Sequence, residues 1–176
     1  MQQLLGGNSQ KIVLLIGERG QREVLLDLTA VLGLRGPVRV LDAGNRFDPY
    51  MVTRAIRRQT ARLYEVMERI YVARAFTCYQ VITLLQQTPA SPAPHLVFDL
   101  LATFADEAVT YRESVRLLQI GMAQLLRLRE QAPVVVSARS GLAGQRAGLL
   151  RLLKRTADVV LLANAPAAVA AVERLL

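Results

Sequence analysis

Cysteine is almost absent from this chain, and lysine nearly so. One cysteine, Cys78, in 176 residues excludes an internal disulfide framework and suits a reducing compartment. No apolar run is long enough to cross a bilayer, because charges interrupt every candidate. The opening residues, MQQLLGGNSQK, hold no basic segment followed by an apolar core, so no secretory signal is expected. The expectation is a soluble, cytoplasmic protein with no membrane partner. Internal repeats are also missing. The single linker-like stretch, PASPAP at 89–94, ends a helix and stiffens the approach to a strand but is too short to divide domains. Residues 1–176 therefore read as one domain. The only histidine, His95, has no Cys, His or carboxylate neighbour at ligand spacing, which speaks against a metal site. Cys78 has no histidine near it in sequence and reads as a buried helix residue. Ser137 and Ser140 are not framed by a GxSxG elbow. No nucleophile, general base or metal cluster is legible.

Positive charge and apolar residues are plentiful. The formal net charge is +8 and hydrophobic residues make up 52% of the chain, so acidic partners, nucleic acid above all, suit the charge balance. Lys11 and Lys154 are the only lysines, and arginine supplies the other cations. Its planar fork suits phosphate, although an arginine-rich chain also results from genomic base composition.

Apolar runs at 12–16, 38–41, 71–76, 96–101, 134–138 and 159–163 are short, rich in Val, Leu or Ile, and lack in–out alternation. They fit central strands of a parallel sheet covered on both faces. Segments of helical period lie near 21–33, 50–69, 78–88, 111–131, 146–156 and 166–175. Strict alternation of strand and helix predicts a three-layer α/β domain, with a mostly parallel central sheet flanked by helices.

Three stretches in register resemble the ATPase core of the RecA/RadA recombinases. LDAGNRFDPY (41–50) is similar to a strand end and its adjoining turn. IYVARAFTCYQVITLL (70–85) is similar to the next strand and helix, and HLVFDLLATFADE (95–107) to the Walker B strand and the segment after it. The resemblance covers roughly residues 10–160 and implies a RecA-like P-loop NTPase fold. The family's N-terminal DNA-binding or oligomerisation domain has no counterpart in these 176 residues. Alignment places GERGQREV (17–24) on the phosphate loop GxxxxGK[ST]. There, backbone N–H groups cradle phosphates, a lysine reaches the outer ones and a hydroxyl holds Mg²⁺. Gly17 matches the first glycine, and Gly20 lies within the loop. Arg22 stands at the second glycine, Glu23 at the lysine and Val24 at the hydroxyl. Opposite unit charges about 4 Å apart attract by roughly 4 kcal/mol at an effective dielectric of 20. Glutamate in place of lysine turns attraction of that order into repulsion. The family's catalytic glutamate falls at Gly44, and its γ-phosphate sensor falls in Ser137-Ala138-Arg139, with Arg139 where glutamine is usual. Only Asp99, the Walker B aspartate, survives. The resemblance thus implies a pseudo-ATPase without cofactor.

Three surfaces remain as binding candidates. The recombinase loop that contacts single-stranded DNA matches ARSGLAGQRAG (138–148). Its Arg139 and Arg146, with Arg151, Lys154 and Arg155 on the next helix, are candidate phosphate contacts, but no aromatic residue in the loop offers stacking. A second basic face carries Arg54, Arg58 and Arg62 at four-residue spacing, with Arg57 beside them and Arg69 further along. Glu65 and Glu68 are in reach to pair with some of these. The family's pocket for a partner's phenylalanine matches Leu41, Ala73 and Leu84, whereas Arg39 and Tyr71 put bulk where that pocket needs room.

The expected function is that of a non-catalytic RecA-like protein in DNA recombination or repair. It would bind single- or double-stranded DNA, a recombinase, or further copies of itself. Two other readings compete. One is a divergent ATP-binding protein or ATPase taking ATP and Mg²⁺, in which Arg19 or Arg22 replaces the missing phosphate-loop lysine. The other is an assembly subunit with no nucleic-acid role.

Overall fold

A computed structural model describes residues 11–18, 20–106, 108–163 and 167–176. The six apolar runs form β1 (Ile12–Gly17), β2 (Val38–Asp42), β3 (Ile70–Arg74), β4 (His95–Phe98), β5 (Val134–Arg139) and β6 (Val159–Leu162). All pair in parallel, in the order β3-β2-β4-β5-β1-β6. The helices are α1 (Gly20–Arg35), α2 (Pro49–Arg57), α3 (Leu63–Met67), α4 (Cys78–Gln87), α5 (Tyr111–Arg129), α6 (Ala147–Lys154) and α7 (Ala167–Glu173). This is the expected three-layer α/β architecture.

Strand pleating divides the core. Ile12, Leu14 and Ile16 point into one apolar cluster, which α4, α5 and α6 cover. Val13 and Leu15 point into the other, covered by α1, α2, α3 and α7. Side chains such as Cys78 and Leu117 close the first layer, and Val24 and Val52 close the second. Because side chains alternate across a strand, a run apolar at every position is stable only with both faces covered. β1, β4 and β5 meet that condition along nearly their whole length.

β3 and β6 do not. They are the sheet edges, and Tyr71, Val72, Val160 and Leu162 are exposed. The expectation that every run is a central strand is therefore corrected for these two. β4 is also shorter than its apolar run. It stops at Phe98 because Asp99 takes a left-handed backbone (φ +48°), and Leu100 and Leu101 are buried in the turn beyond.

A second correction concerns 50–69, expected as one helix. Asp48 caps α2, accepting from the Tyr50 and Met51 N–H groups, and Pro49 occupies its first turn. The helix stops after Arg57. The Gln59 and Thr60 N–H groups close back on the Ile56 carbonyl, and the Thr60 hydroxyl accepts from the Arg62 N–H. That local bond competes with helix continuation. α3 then starts afresh and buries Val66.

Candidate functional site

The sheet topology concentrates loops at one place. The connections leaving β1 and β2 run to helices on one face, α1 and α2, while those leaving β4 and β5 run to α5 and α6 on the other. β1 lies beside β5, and β2 beside β4. Chains diverging from neighbouring strand ends leave a crevice there, the usual ligand position in open α/β sheets. The cleft at this end has a volume of about 360 Å³, and Gln21, Arg22, Arg46, Asp99, Ser137 and Arg139 line it together with Glu18 and Glu23. Its formal charges balance, three arginines against three carboxylates.

Asp99 lies at the centre. Its side chain is only 4% exposed, and two arginines hold one of its oxygens: Arg139 Nε at 2.9 Å and Arg46 Nε at 3.4 Å from Oδ2. Burial pushes the carboxyl pKa up, against the opposing pull of Arg139 and Arg46. Ser137 fixes the backbone, its Oγ accepting from the Asp99 N–H at 2.9 Å. Ser137 is thus a buried strut beneath Asp99. Two buried acceptors lining the cleft, Asp99 Oδ1 and Gln21 Oε1, have no hydrogen-bond partner among the described residues.

The phosphate-loop positions fall in the first turns of a helix. α1 begins at Gly20, two residues ahead of Arg22, so positions 18 and 19 alone separate it from β1. Arg22 turns aside to donate to the Arg46 carbonyl (2.8 Å) and to Asp48 (3.1 Å), which ties α1 to the start of α2. Glu23 is exposed, and Val24 is packed in the core. A Cβ on Gly17 would meet Gln21 Oε1 at 3.2 Å. Arg19 lies outside the described residues.

Gly44 is closed in as well as lacking a carboxylate. A Cβ built there would stand 2.6 Å from Asp99 Cβ and 3.1 Å from Ala102 Cβ. A glutamate at this position has no room unless Asp99 moves. Gly44→Ala is accordingly expected to destabilise the fold by about 1–3 kcal/mol in urea unfolding. An unchanged midpoint would mean that the Asp99 turn yields freely. The residues present do not fit a Mg²⁺–nucleotide. The hydroxyl position is in the core, the glutamate position is filled, and both arginines bind the surviving aspartate. Among the described residues no group of His, Cys, Asp or Glu is arranged to hold a metal.

The chain matches no family model and no curated protein.

The other expected residues separate on inspection. Arg146 does not face solvent to await a phosphate. Its guanidinium donates to the Phe104, Asp106 and Val109 carbonyls and to Ser114 Oγ, stitching the β5–α6 loop to the segment after β4. Arg139 is taken by Asp99. Arg151, Lys154 and Arg155 lie exposed on α6, opposite buried Leu149, Leu150 and Leu153, as expected. On α2, Arg54 and Arg57 are exposed, as is Arg58 just beyond it, but the helix break removes Arg62 from their spiral. Neither Glu65 nor Glu68 forms an ion pair with any of them among the described residues. Leu41 is buried, while Ala73 and Leu84 are half-buried, Leu84 packing on the core of the α4–α6 side. Tyr71 instead lies under Arg39, whose guanidinium carbon is 5.6 Å from the ring centre. Cys78 is buried, and desolvation pushes its thiol pKa up.

Sequence reasoning missed Asp42, Arg46 and Arg74. Asp42 is fully buried at the end of β2 and accepts from the Arg46 and Phe47 N–H groups at 2.8 and 3.1 Å and from Arg74 Nε at 2.8 Å. An aspartate closing one apolar run and an arginine closing the next were the signal that could have found this pair. Parallel register sets Asp42 directly beside Arg74.

Proposed function

We propose that this chain is a non-catalytic protein of RecA type, which acts in DNA recombination or repair by binding DNA, a recombinase or another partner. The observation that carries the loss of catalysis is the pairing of Arg46 and Arg139 with Asp99, over a helix that starts too early to leave a phosphate loop. In that state the one surviving acidic position is paired from within, and the phosphate-loop hydroxyl position is occupied by buried Val24. The family assignment is supported by the three stretches in register. The nucleic-acid assignment is supported by the +8 charge and by exposed arginines that no carboxylate pairs with among the described residues.

Thermal unfolding with and without millimolar ATP and Mg²⁺ tests the first half. A ligand at a hundred times its dissociation constant adds about 2.7 kcal/mol, or roughly 5–10 °C for a domain of this size. No shift is expected, and a saturable rise would overturn the non-catalytic reading in favour of a divergent nucleotide site. Retention on immobilised DNA tests the second half. Elution by moderate salt is expected, because each phosphate contact releases counterions. Passage of the protein without retention would favour an assembly subunit with incidental charge.

A further inference from the structure

Most arginines around the strand ends are paired with a carboxylate: Arg22 with Asp48, Arg46 and Arg139 with Asp99, Arg74 with Asp42. The exposed cations of α2, like those of α6, have no such pairing among the described residues, and on α2 they line a groove. The groove has a volume of about 450 Å³ and is lined by Tyr50, Thr53, Arg54, Arg57 and Arg58, with no acidic residue in its wall. The three arginines are exposed, and none has an ion-pair partner among the described residues. Like charges at three- and four-residue spacing repel on a helix, so this cluster works against the fold that carries it. Beside the arginines in the same wall, Tyr50 is 71% exposed. The buried side of α2, with Val52, Ala55 and Ile56, anchors the groove rigidly to the core.

Unneutralised guanidinium groups beside an open aromatic ring match a ligand with regularly spaced anions and planar faces. We infer that the α2 groove, with Tyr50, binds single-stranded nucleic acid. The arginines track phosphates while the Tyr50 ring stacks on a base, the combination that sequence-tolerant single-strand binders use. A duplex buries its base faces and gives the ring nothing to stack on. This inference rests on the nucleic-acid reading above and moves the contact from the β5–α6 loop to α2.

The test is fluorescence anisotropy with labelled oligo-dT, oligo-rU and a DNA duplex across a salt series. The wild type is compared with an α2 variant (Arg54→Glu, Arg57→Glu, Arg58→Glu), with Tyr50→Ala and with an α6 variant (Arg151→Glu, Lys154→Glu, Arg155→Glu). All the altered side chains are exposed, and a thermal midpoint for each variant confirms folding. The wild type should prefer a single strand to the duplex, and the stronger of oligo-dT and oligo-rU names the class. The α2 variant should lose binding and flatten the log–log salt slope by about 2. Tyr50→Ala should weaken single-strand binding about tenfold and leave duplex binding unchanged. If the α6 variant loses binding and the α2 variant keeps it, the α2 site is wrong and the nucleic-acid reading stands. A wild type that binds no nucleic acid overturns both. Equal loss of single-strand and duplex binding in the α2 variant, with Tyr50→Ala silent, overturns the stacking role and the single-strand assignment with it.

Discussion

Asp42→Ala is expected to lower the unfolding free energy by about 3–5 kcal/mol, the largest effect expected of any single substitution around the cleft. The Asp42 carboxylate is fully buried and serves three donors at once: two backbone N–H groups of the adjoining turn and the Arg74 guanidinium. Arg74 is 36% exposed at its side chain, so water takes over part of what it loses. The Arg46 and Phe47 N–H groups have less recourse, since Phe47 is buried against Phe98 with ring centres 5.8 Å apart. A buried donor left without an acceptor costs about 1–3 kcal/mol; the Phe47 N–H is such a donor, and the half-buried Arg46 N–H and the Arg74 guanidinium supply the rest of the expected loss. Asp42→Asn keeps one acceptor oxygen and should lose about half as much. Urea unfolding at neutral pH measures both, with an unchanged m-value as the control that the denatured state is the same. A cost below about 1 kcal/mol for Asp42→Ala would show that solvent enters the turn, and the carboxylate would then be no keystone of the site.

The second large effect is a loss of stability in mild acid through His95. The imidazole begins β4, fully buried, with no well-formed hydrogen bond to either ring nitrogen among the described residues and only the Pro89 backbone close by as a weak acceptor. Parallel register puts Arg39 beside it on β2, and Arg127 of α5 adds a second positive charge. Burial first, then these two charges, push its pKa from 6.5 down to about 4, against a weaker raising influence from the Pro89 backbone. The folded protein therefore binds fewer protons than the unfolded chain between these values. The contribution of neutral His95 to stability is complete above pH 6.5 and falls away as the pH drops toward 4. The full difference is about 3 kcal/mol, and about 2 kcal/mol of it is gone at pH 5, before most carboxylates titrate. Urea midpoints at pH 7 and pH 5 should fall in the wild type and hold nearly level in His95→Leu. Parallel losses in the two proteins would mean that the imidazole finds solvent when protonated.

Much of the fold was legible because its physics is local. A strand covered on both faces must be apolar at every position, and the runs of β1 and β5 say so directly. The same runs could not reveal that β3 and β6 are edges, since edge position depends on strand order, which no local pattern encodes. The helical spacing of Arg151, Lys154 and Arg155 against buried leucines placed the α6 face correctly. The same argument failed at Arg62, where a hydrogen bond from its N–H to a threonine hydroxyl two residues earlier outweighed the apolar period. Within the site, Asp99 was found through the resemblance of its strand to a Walker B segment. Its partner Arg46 is 53 residues away in sequence and had no signal of its own. The α2 groove illustrates a different limit. Its arginines were visible, but their freedom from carboxylates, and the exposure of the tyrosine beside them, depend on how α2 is set against the core.

Arg146 binds two segments that the chain keeps far apart: the 3₁₀ turn Gly144–Arg146 after β5, and the stretch from Phe104 to Ser114 that leads into α5. Neither segment has strand partners to hold it, so the guanidinium stands in for a ladder of backbone bonds. One side chain thereby couples two loops, and amide protons on both sides are expected to exchange with solvent through a shared opening event in place of independent fraying.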